Sequence, residues 1–542
     1  MDKPAFFRLR KSISPAPTRR AVFTRFFVKK SFSTDARGVP LATTEHVRTR
    51  KLHVGRLRNA DSIFEPLSFS RNIASLTDMR LIMKFGGASI ADGEKIKWVA
   101  ELINRYREHE LIIVTSALKD VTDHLLERAD AAADSGSVES VHKVTEYLRD
   151  LHNNAANIAI NDPVILDQVL NELDGRIHKL KQALTGICYL GELTSRSRDY
   201  ISSYGELLAA PIVSGALRSV GMSSVHLTGG EAGIVTNSKY GGAKPLDNTR
   251  ERICQRLTPL IGKCVPVVAG FIAEDELGIT TTLGRGGSDF SASLIGSAVH
   301  ADEIWFWKEV SGIMTADPKI VPDARTIPQI SYIEVMELSY FGAKVLHPHA
   351  IEPAIKNNIP VRVLNTFEPD FTGTLVVKSQ EQSDGVVKAV TVIEDIALIN
   401  ISGAGMVGTI GVAARVFRAL ADAGVNITMI SQGSSEANIS IVVEASHLAG
   451  AIDAIKTEFK NGMIRELTAD ADVSAITVVG AGMAGIPGVA ARVFTAMGNK
   501  KINVITISQG SSEHNISFVV RSKDARSAVC ALHNEFSPGN QR

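Results

Sequence analysis

A lysine and two glycines stand together near the point where the chain first becomes regularly patterned. Lys84 lies in a short apolar run, and Gly86 and Gly87 follow it after one phenylalanine. A lysine at the end of a strand, followed by two glycines, places an ammonium group and uncovered backbone N–H groups at one point, as a phosphate or its transfer transition state requires. The same residues would also fit a tight turn with a solvated lysine, so this motif alone leaves both interpretations open.

Three glycines surround an arginine in a second motif, T-T-T-L-G-R-G-G-S-D at residues 280–289. Ser288 and Asp289 have the residue types that cap the start of a helix. Arg285 is suited to bind a carboxylate through two parallel hydrogen bonds, and Asp289 to accept an ammonium group or to orient phosphates. A capped turn would explain the glycines. It would not explain Arg285, which we expect to be partly buried among them. The motif therefore favours a binding function.

Two further charged stretches look like ordinary loops when each is considered alone. They are W-K-E-V-S-G-I-M-T-A-D-P-K at residues 307–319 and F-G-A-K-V-L-H-P at residues 341–348. His347, directly before Pro348, is more typical of a structural residue than of a general base.

The elements that must position these motifs alternate between strand and helix patterns. A buried strand is predicted at 81–85, a helix at 93–107, a strand at 111–114 and long helices over 124–187. Further strands are predicted at 212–213, 224–227, 265–272, 303–306 and 360–364. Such alternation is typical of a doubly wound α/β sheet, which binds its ligands at the strand ends.

An internal repeat follows a polar segment at 379–387, which we interpret as a linker. Residues 403–417 recur at 480–494, and I-S-Q-G-S-S-E at 430–436 recurs at 507–513, both with an offset of 77 residues. Matching offsets in separate blocks indicate duplicated units. Each copy has the pattern strand, helix, strand, strand, helix, which predicts a ferredoxin-like unit with an open sheet edge. The two units would pair with each other or across a dimer.

Composition excludes several classes of protein. The 542 residues predict two to four domains, and 44% hydrophobic with 22% charged residues excludes a wholly disordered or collagen-like chain. The longest apolar stretch, near 264–273, is far shorter than the ~20 residues of a membrane helix, and the net charge of +1 gives no support to nucleic-acid binding. The four cysteines show no ligand or C-x-x-C spacing and are typical of reduced residues in an intracellular protein.

The charge is unevenly distributed. Residues 1–60 hold fifteen Lys/Arg and three acids, a balance of +12, so the remainder of the chain carries −11. The segment 1–78 is therefore expected to be a disordered basic leader outside the catalytic fold: an organellar transit peptide, the product of a mis-assigned start before Met79 or Met83, or a nucleic-acid-binding tail. We expect a cytoplasmic protein, or a plastid or mitochondrial one if the leader is a genuine transit peptide.

Taken together, the motifs resemble those of the aspartate kinases of the amino acid kinase family. K-F-G-G, G-E-L-T-S-R-S-R-D-Y-I-S-S-Y-G-E, T-T-L-G-R-G-G-S-D, A-D-P-K-I-V-P-D-A-R and Y-F-G-A-K-V-L-H-P occur in the family's order between about 79 and 536. The resemblance is strongest to monofunctional, archaeal-type members, since no dehydrogenase segment follows the repeat. It implies a three-layer αβα kinase domain at 79–378 and ferredoxin-like ACT domains at 388–462 and 470–542.

The resemblance implies ATP-dependent phosphorylation of the β-carboxylate of L-aspartate, with Mg²⁺ held mainly by the ATP phosphates and by no protein metal site. Lys84 and Asp289 would be catalytic. The aspartate would contact Ser116, Thr122, Glu206, Arg285 and Ser288. The nucleotide would contact Lys84, Gly86, Gly87, Lys308, Glu309, Gly312, Met314, Lys319 and Lys344. The product, 4-phospho-L-aspartate, would lead to lysine, threonine and methionine.

Four residues depart from the family pattern, and all lie on the nucleotide side. Ala88 stands where a Thr or Ser is usual, Glu309 replaces an Asp, Met314 replaces a Tyr, and Lys319 replaces an Arg, whose bidentate geometry a lysine cannot reproduce. We therefore expect an active kinase whose nucleotide affinity is the altered property.

The repeats resemble feedback sensors, with Met406, Asn426, Ile427 and Gln432 in an amino-acid pocket that would bind lysine or threonine as inhibitor. By allosteric coupling, the bound end product would favour a less active kinase. We expect a homodimer or larger assembly through these domains, with neither nucleic acid nor membrane as partner. Three alternatives stay open: repeats that only dimerise the protein, a kinase for another acid or carbamate, and a non-catalytic amino-acid-binding regulator.

Overall fold

The computed structural model describes residues 79–342, 346–378, 386–433, 437–460 and 463–538. The leader at 1–78, most of the linker at 379–387 and Lys344 lie outside the described residues. Within those ranges, no helix combines the length and the apolar composition needed to cross a bilayer.

An eight-stranded sheet organises the first part of the fold. Its order is β3-β5-β2-β1-β8-β10-β11-β9, and every neighbouring pair is parallel except β10 and β11. A small second sheet has the order β4-β6-β7. The strands are β1 (Arg80–Phe85), β2 (Glu110–Thr115), β3 (Ser224–Leu227), β4 (Val235–Thr236), β5 (Val265–Ala269), β6 (Ile272–Asp275), β7 (Thr280–Thr282), β8 (Glu303–Lys308), β9 (Gln329–Ser331), β10 (Val361–Asn365) and β11 (Thr374–Val377).

Helices cover both faces of the large sheet, which confirms the three-layer αβα prediction. One face carries α1, α3 and α6, and the other carries α7, α8 and α10. Helix starts follow the sequence, since Asp92 caps α1 and Asp162 caps α4 through their side chains. The helices are α1 (Gly93–Asn104), α2 (Val121–Ser135), α3 (Val138–Ala159), α4 (Pro163–Leu190), α5 (Ser195–Ser202), α6 (Tyr204–Ser219), α7 (Thr249–Leu257), α8 (Gly287–Val299), α9 (Tyr332–Tyr340) and α10 (Pro348–Lys356).

Two predicted strands differ from the structure. Residues 212–213 lie inside α6, which is buried almost all round, and a short apolar run does not distinguish a buried helix from a buried strand. The strand predicted at 265–272 is broken into β5 and β6 at Phe271, whose φ of 65° is left-handed and cannot continue a strand.

The two repeats form ferredoxin-like units, as predicted. Their elements are β12 (Ala389–Ser402), α11 (Val412–Asp422), β13 (Ile427–Gln432), β14 (Asn438–Glu444), α12 (Leu448–Glu458), β15 (Glu466–Val479), α13 (Val489–Asn499), β16 (Thr506–Ser508), β17 (Asn515–Arg521) and α14 (Ser522–Phe536). We call 389–458 the first repeat and 466–536 the second. Strands β12 and β15 pair antiparallel, so one six-stranded sheet of order β13-β14-β12-β15-β17-β16 joins the repeats within the chain.

Each repeat has its own hydrophobic core, but only one of these two cores extends into the kinase part. The core of the first repeat is built from residues of that repeat and its immediate flank. The core of the second repeat includes Ala316 and Val321, which lie on the loop after β8. The second repeat is therefore seated on the loop that was expected to face the nucleotide.

Candidate active site

A buried lysine stands at the carboxyl end of the central strand. Lys84 on β1 is 5% exposed, and β8 runs beside β1 so that Lys308 lies near it at the end of the neighbouring strand. Asp289, in the first turn of α8, ion-pairs with Lys84. The Lys308 ammonium donates a hydrogen bond to the other oxygen of the same carboxylate at 2.9 Å. Two strands and one helix thus bring two cations onto one acid.

The electrostatics of this cluster leave positive charge in excess. Burial alone would raise the pKa of Asp289, but Lys308 and Lys84 outweigh it and hold that pKa well below the usual range. Burial lowers the pKa of Lys84, and Lys308 acts in the same direction against Asp289. A single carboxylate cannot compensate both the buried Lys84 ammonium and the half-buried Lys308 ammonium, so the cluster is suited to receive an anion.

A second buried acid lies beside this cluster. Glu206, in the first turn of α6, is 4% exposed, and its Oε2 has no hydrogen-bond partner among the described residues. Burial raises the pKa of Glu206 to about 8, against the backbone N–H of Ala117, the Lys84 charge and the Ser288 hydroxyl. A carboxyl of this kind is suited to accept a cation that arrives with a ligand.

The remaining residues predicted to contact aspartate line the approach to Glu206. A Cβ on Gly205 would lie 3.0 Å from the Thr122 hydroxyl and 2.6 Å from the Ala117 Cβ, so glycine permits the close packing of α6. Ser116 follows β2, and its N–H donates to the Phe85 carbonyl at 3.2 Å. Ser288 and Ser116 are both half-buried. The structure therefore places Thr122 beside Gly205, the residue before Glu206, and Ser288 within hydrogen-bonding reach of Glu206. Ser116 lies beside the end of β1, the strand that carries Lys84.

Arg285 does not fulfil the expectation of burial. It is exposed, and it stands between Gly284 and Gly286, whose φ values of 73° and 72° are left-handed. A guanidinium without a ligand is more stable in water than in an apolar interior. Any role of Arg285 in binding a carboxylate thus depends on where the loop backbone holds it.

The glycines and loop residues expected at the nucleotide lie either near Lys84 or on the loop after β8. A Cβ on Gly86 would lie 3.8 Å from the Lys84 ammonium nitrogen, so the backbone at Gly86 borders that cation, whereas a Cβ on Gly87 would lie 3.0 Å from the Ala117 carbonyl oxygen. Gly312 has a φ of 114°, and a Cβ there would approach Thr374 to 2.5 Å. Both observations give a structural reason for glycine at this position. Glu309 and Lys319 are exposed and Met314 is half-buried. Lys308 instead belongs to the buried charge cluster.

The second repeat holds the loop after β8 by several polar contacts. Thr315 and His533 of α14 share a buried hydrogen bond of 2.9 Å. The Arg526 guanidinium donates to the Lys319 carbonyl, and Cys530 Sγ lies 3.5 Å from the Ile320 carbonyl. Sequence reasoning missed these contacts, which join residues more than 200 positions apart and have no local signal.

A second set of contacts joins the repeats to α9. Glu334 accepts the N–H of Ala481 at 2.8 Å, and the Asn515 amide donates to Glu337. The Tyr340 hydroxyl donates to the carbonyl of Ile427 in the first repeat at 3.0 Å. Helix α9 is therefore linked to both repeats.

The four residues expected to bind an effector do not share one environment. Met406 is 1% exposed and packs in the core of the first repeat, so its side chain does not line a surface pocket. Asn426 and Gln432 are exposed and Ile427 is half-buried. Met406 was expected at the effector site because it lies in the repeated G-A-G-M loop. The structure explains the presence of a methionine there by its packing in the core.

Comparison with known proteins identifies the class to which this fold and site belong. A model of the amino acid kinase family matches residues 79–365, and a model of the ACT domain matches residues 399–459 and 476–536. The chain therefore belongs to the amino acid kinase family, as a member with two C-terminal ACT domains.

Its similar proteins within the family are aspartokinases. Aspartokinase 1, chloroplastic, of Arabidopsis thaliana is 33% identical over 467 residues, which are 84% of this chain and 80% of that protein. The aspartate kinase of Clostridium acetobutylicum is 27% identical with a TM-score of 0.70, covering 84% of this chain and 100% of that one. Aspartokinase III of E. coli, solved with lysine and aspartate, is 24% identical with a TM-score of 0.71, covering 84% and 99%, and shares the fold.

Proposed function

We propose that the protein is a feedback-regulated aspartate kinase, which transfers the γ-phosphoryl group of ATP to the β-carboxylate of L-aspartate. The product would be 4-phospho-L-aspartate, the first intermediate towards lysine, threonine and methionine. The observation that carries the proposal is the buried cluster of Lys84, Asp289 and Lys308 beside Glu206. That cluster offers uncompensated positive charge and a cation-accepting carboxyl at the same strand ends.

Phosphoryl transfer to a carboxylate makes few chemical demands on the protein. The acceptor is ionised at neutral pH, so no strong base is needed and catalysis consists of positioning and charge stabilisation. Lys84, with the backbone at Gly86 and Gly87, would stabilise charge on the transferred phosphoryl group. Asp289 would hold Lys84 and Lys308 in place, because it is paired with both.

The substrate aspartate would lie between the α6 and α8 starts. Its ammonium group would meet Glu206, its α-carboxylate would meet Arg285, and Ser116, Thr122 and Ser288 would line the wall. Because Glu206 has a raised pKa, the arriving ammonium favours its ionised form, and binding would release a proton.

The nucleotide would lie along residues 307–319 and reach Lys344. Gly312 and Met314 would border it, while Glu309 and Lys319 would act from the exposed side of the loop. When bound with ATP, Mg²⁺ neutralises charge shared by the β- and γ-phosphates. Among the described residues no group of three acidic, His or Cys side chains is placed to hold a metal.

Feedback regulation would act through the ACT repeats. Lysine or threonine would bind at an ACT–ACT interface near Asn426, Ile427, Gln432 and the loop that contains Met406, in a homodimer or larger assembly. The hydrogen bond from Tyr340 to the Ile427 carbonyl supports this proposal, because it joins the effector strand to a helix of the kinase domain. Neither nucleic acid nor membrane is proposed as a partner.

The cytoplasm is the proposed location, with a plastid or mitochondrion instead if residues 1–78 are removed as a transit peptide. The basic balance of the leader supports the second possibility. Mass spectrometry of the mature N-terminus in the source cell separates the two.

A hydroxamate-trapping assay with ATP tests the activity. We expect ATP-dependent aspartyl hydroxamate with L-aspartate, far less product with L-glutamate, and inhibition by added lysine or threonine. Absence of aspartate phosphorylation at millimolar ATP would contradict the proposal, and product with glutamate instead would assign a different substrate.

A further inference from the structure

One buried acid near the site has no role in the chemistry described so far. Asp199 on α5 is 2% exposed. Its carboxylate accepts three hydrogen bonds, from the N–H of Thr282, the hydroxyl of Thr282 and the N–H of Gly241, each at 2.9 Å. All three donors are neutral, so this carboxylate is buried without a cation to compensate it through these bonds.

The three bonds join Asp199 to two segments that are also bonded to each other. Thr282 is the last residue of β7, and its carbonyl accepts the N–H of Ala243 at 2.8 Å. Asp199 therefore connects α5, the turn at Gly241 and the end of β7 in one network. A break at Asp199 would remove one support from the turn and from the strand end together, while the bond between Ala243 and Thr282 would remain.

The Arg285 loop rests on this network. Gly284 follows Thr282 by two residues, and a Cβ on Gly284 would lie 3.3 Å from the Gly242 Cα and 3.4 Å from the Gly241 carbonyl oxygen. The turn held by Asp199 thus lies directly against the backbone that precedes Arg285. On the other side, a Cβ on Gly286 would lie 3.0 Å from His347.

Arg285 needs such support because its side chain is exposed. A long exposed arginine is placed by its backbone rather than by packing of its own side chain. Binding geometry is sensitive to small displacements, and a shift of about 1 Å can change a rate by about a hundredfold.

We propose that Asp199 is a positioning residue for substrate binding, which holds the Arg285 loop where the guanidinium meets the α-carboxylate of the amino-acid substrate. Asp199 itself does not touch the substrate. The inference rests on the proposed function, and it adds a residue through which the kinase distinguishes a free α-carboxylate from a blocked one.

The test compares two substrates in the full-length protein. Aspartate α-amide keeps the reacting β-carboxylate and the ammonium group but lacks the charge that Arg285 would bind. Asp199→Asn keeps the shape of the side chain and replaces one acceptor oxygen by an NH₂ group. This group is itself a donor, so it cannot accept the hydrogen bond that the carboxylate oxygen accepted. We expect kcat/KM for L-aspartate to fall by roughly ten- to a hundredfold, mainly through KM, while values for the α-amide and the KM for ATP change little.

Asp275 provides a matched control at the opposite end of the same small sheet. It is 3% exposed and also accepts two backbone N–H groups and one hydroxyl, from Leu277 at 3.0 Å, Ile279 at 2.9 Å and Ser238 at 3.0 Å. Asp275→Asn should lower the melting temperature by a similar amount and leave the preference for aspartate over its α-amide unchanged.

The outcomes separate this inference from the proposed function. If Arg285→Ala abolishes the preference for aspartate and Asp199→Asn keeps it, the positioning role is wrong. If Arg285→Ala keeps the preference, the assigned role of Arg285 is wrong. If neither substrate is phosphorylated by the unaltered protein, the proposed function is wrong. Should Asp199→Asn fail to fold, Thr282→Val, which removes only the hydroxyl donor, must still shift the preference in the same direction, and an unchanged preference overturns the inference.

Discussion

The two halves of the candidate site are built in different ways. The half that contains Lys84, Glu206 and Asp289 is buried, and its residues lie on β1, α6 and α8, elements that pack in the interior of the kinase domain. The other half is the loop after β8, where Glu309 and Lys319 are exposed. That loop is held in large part by contacts from the second repeat.

This difference suggests where regulation can act. The chemical half lies on a core built mainly from kinase-domain residues, to which the repeats contribute Ala389 and Val479 among the described residues, so a movement of the repeats should disturb its charges little. The loop after β8, where we propose that the nucleotide lies, is held by the second repeat and by the N–H of Val390 on β12, which donates to the Thr315 carbonyl at 2.9 Å. The same movement would therefore change how ATP is held. Coupling between an ACT ligand and the kinase should therefore appear mainly in the apparent affinity for ATP.

The largest expected effect is in the buried half. Lys84→Ala removes the cation that we propose stabilises the transferred phosphoryl group, and we expect kcat to fall by about 10³-fold or more, since preorganised charge stabilisation is usually the largest single contribution to catalysis. Lys319→Ala, an exposed lysine of the other half, is the control and should change only the KM for ATP. Steady-state kinetics of the two variants would contradict the comparison if both lowered kcat equally.

The next effect concerns the pH dependence of aspartate binding. Burial raises the pKa of Glu206 to about 8, so this group is largely protonated at neutral pH in the free protein, and its ionised form binds an ammonium better. The KM for aspartate should therefore fall as pH rises through 8, by roughly tenfold between pH 7 and pH 9. The KM for ATP should not follow this profile.

Glu206→Gln tests the assignment, because it removes the titrating group and keeps the shape. The variant should show a raised KM for aspartate that no longer changes between pH 7 and pH 9. Calorimetric titrations of the unaltered protein in buffers of different ionisation heat should show proton release on aspartate binding below pH 8. A flat aspartate profile in the unaltered protein would mean that Glu206 does not titrate on binding.

The sequence predicted the features that depend on neighbouring residues. It did not predict the features that depend on contacts between residues far apart in the chain. The strand before Lys84, the glycines after it and the duplicated βαββα pattern follow from local periodicity. The motif did not predict the exposure of Arg285, which stands between two glycines with left-handed φ values. The contact between Thr315 and His533 spans 218 residues, and no local pattern encodes it.

Asp199 shows the same limit in a single residue. It lies inside the motif that carried the family resemblance, yet its burial against Thr282, 83 positions away, comes from tertiary structure alone. An acid in a hydroxyl-rich helix is equally compatible with a solvated surface, so the motif marks the segment and not the role.

A smaller effect is expected where the second repeat meets the loop. Thr315→Val removes the hydrogen bond to His533 and the one that the Arg325 N–H donates to the same hydroxyl, with almost no change in volume. The loss of the bond to His533 corresponds to about 1 kcal/mol and a roughly fivefold rise in the KM for ATP. The KM for aspartate should stay constant. Lys456→Ala lies 77 residues before His533, at the equivalent position of the first repeat, and should leave both constants unchanged. A rise in the KM for aspartate alone would contradict the division into two halves.

The smallest effect is expected at Arg415 and Arg492, which occupy equivalent positions in the two repeats and make equivalent contacts. Arg415 pairs with Glu458 at 2.6 Å and Arg492 with Glu535 at 2.8 Å, and each guanidinium lies 4.4 Å from the centre of a phenylalanine ring. Because these side chains are partly exposed, replacing either by Met should cost about 0.5–1 kcal/mol in the free energy of unfolding.

Of the two substitutions, only Arg492→Met should affect the KM for ATP. Arg492 ties α13 to α14, the helix that carries Arg526 and His533, whereas Arg415 ties α11 to α12 in the first repeat. We therefore expect Arg492→Met to raise the KM for ATP slightly, by less than about twofold, and Arg415→Met to leave it unchanged at an equal loss of stability. Thermal unfolding and ATP titrations of both variants provide the measurement. Equal changes in the KM for ATP would mean that both repeats support the loop.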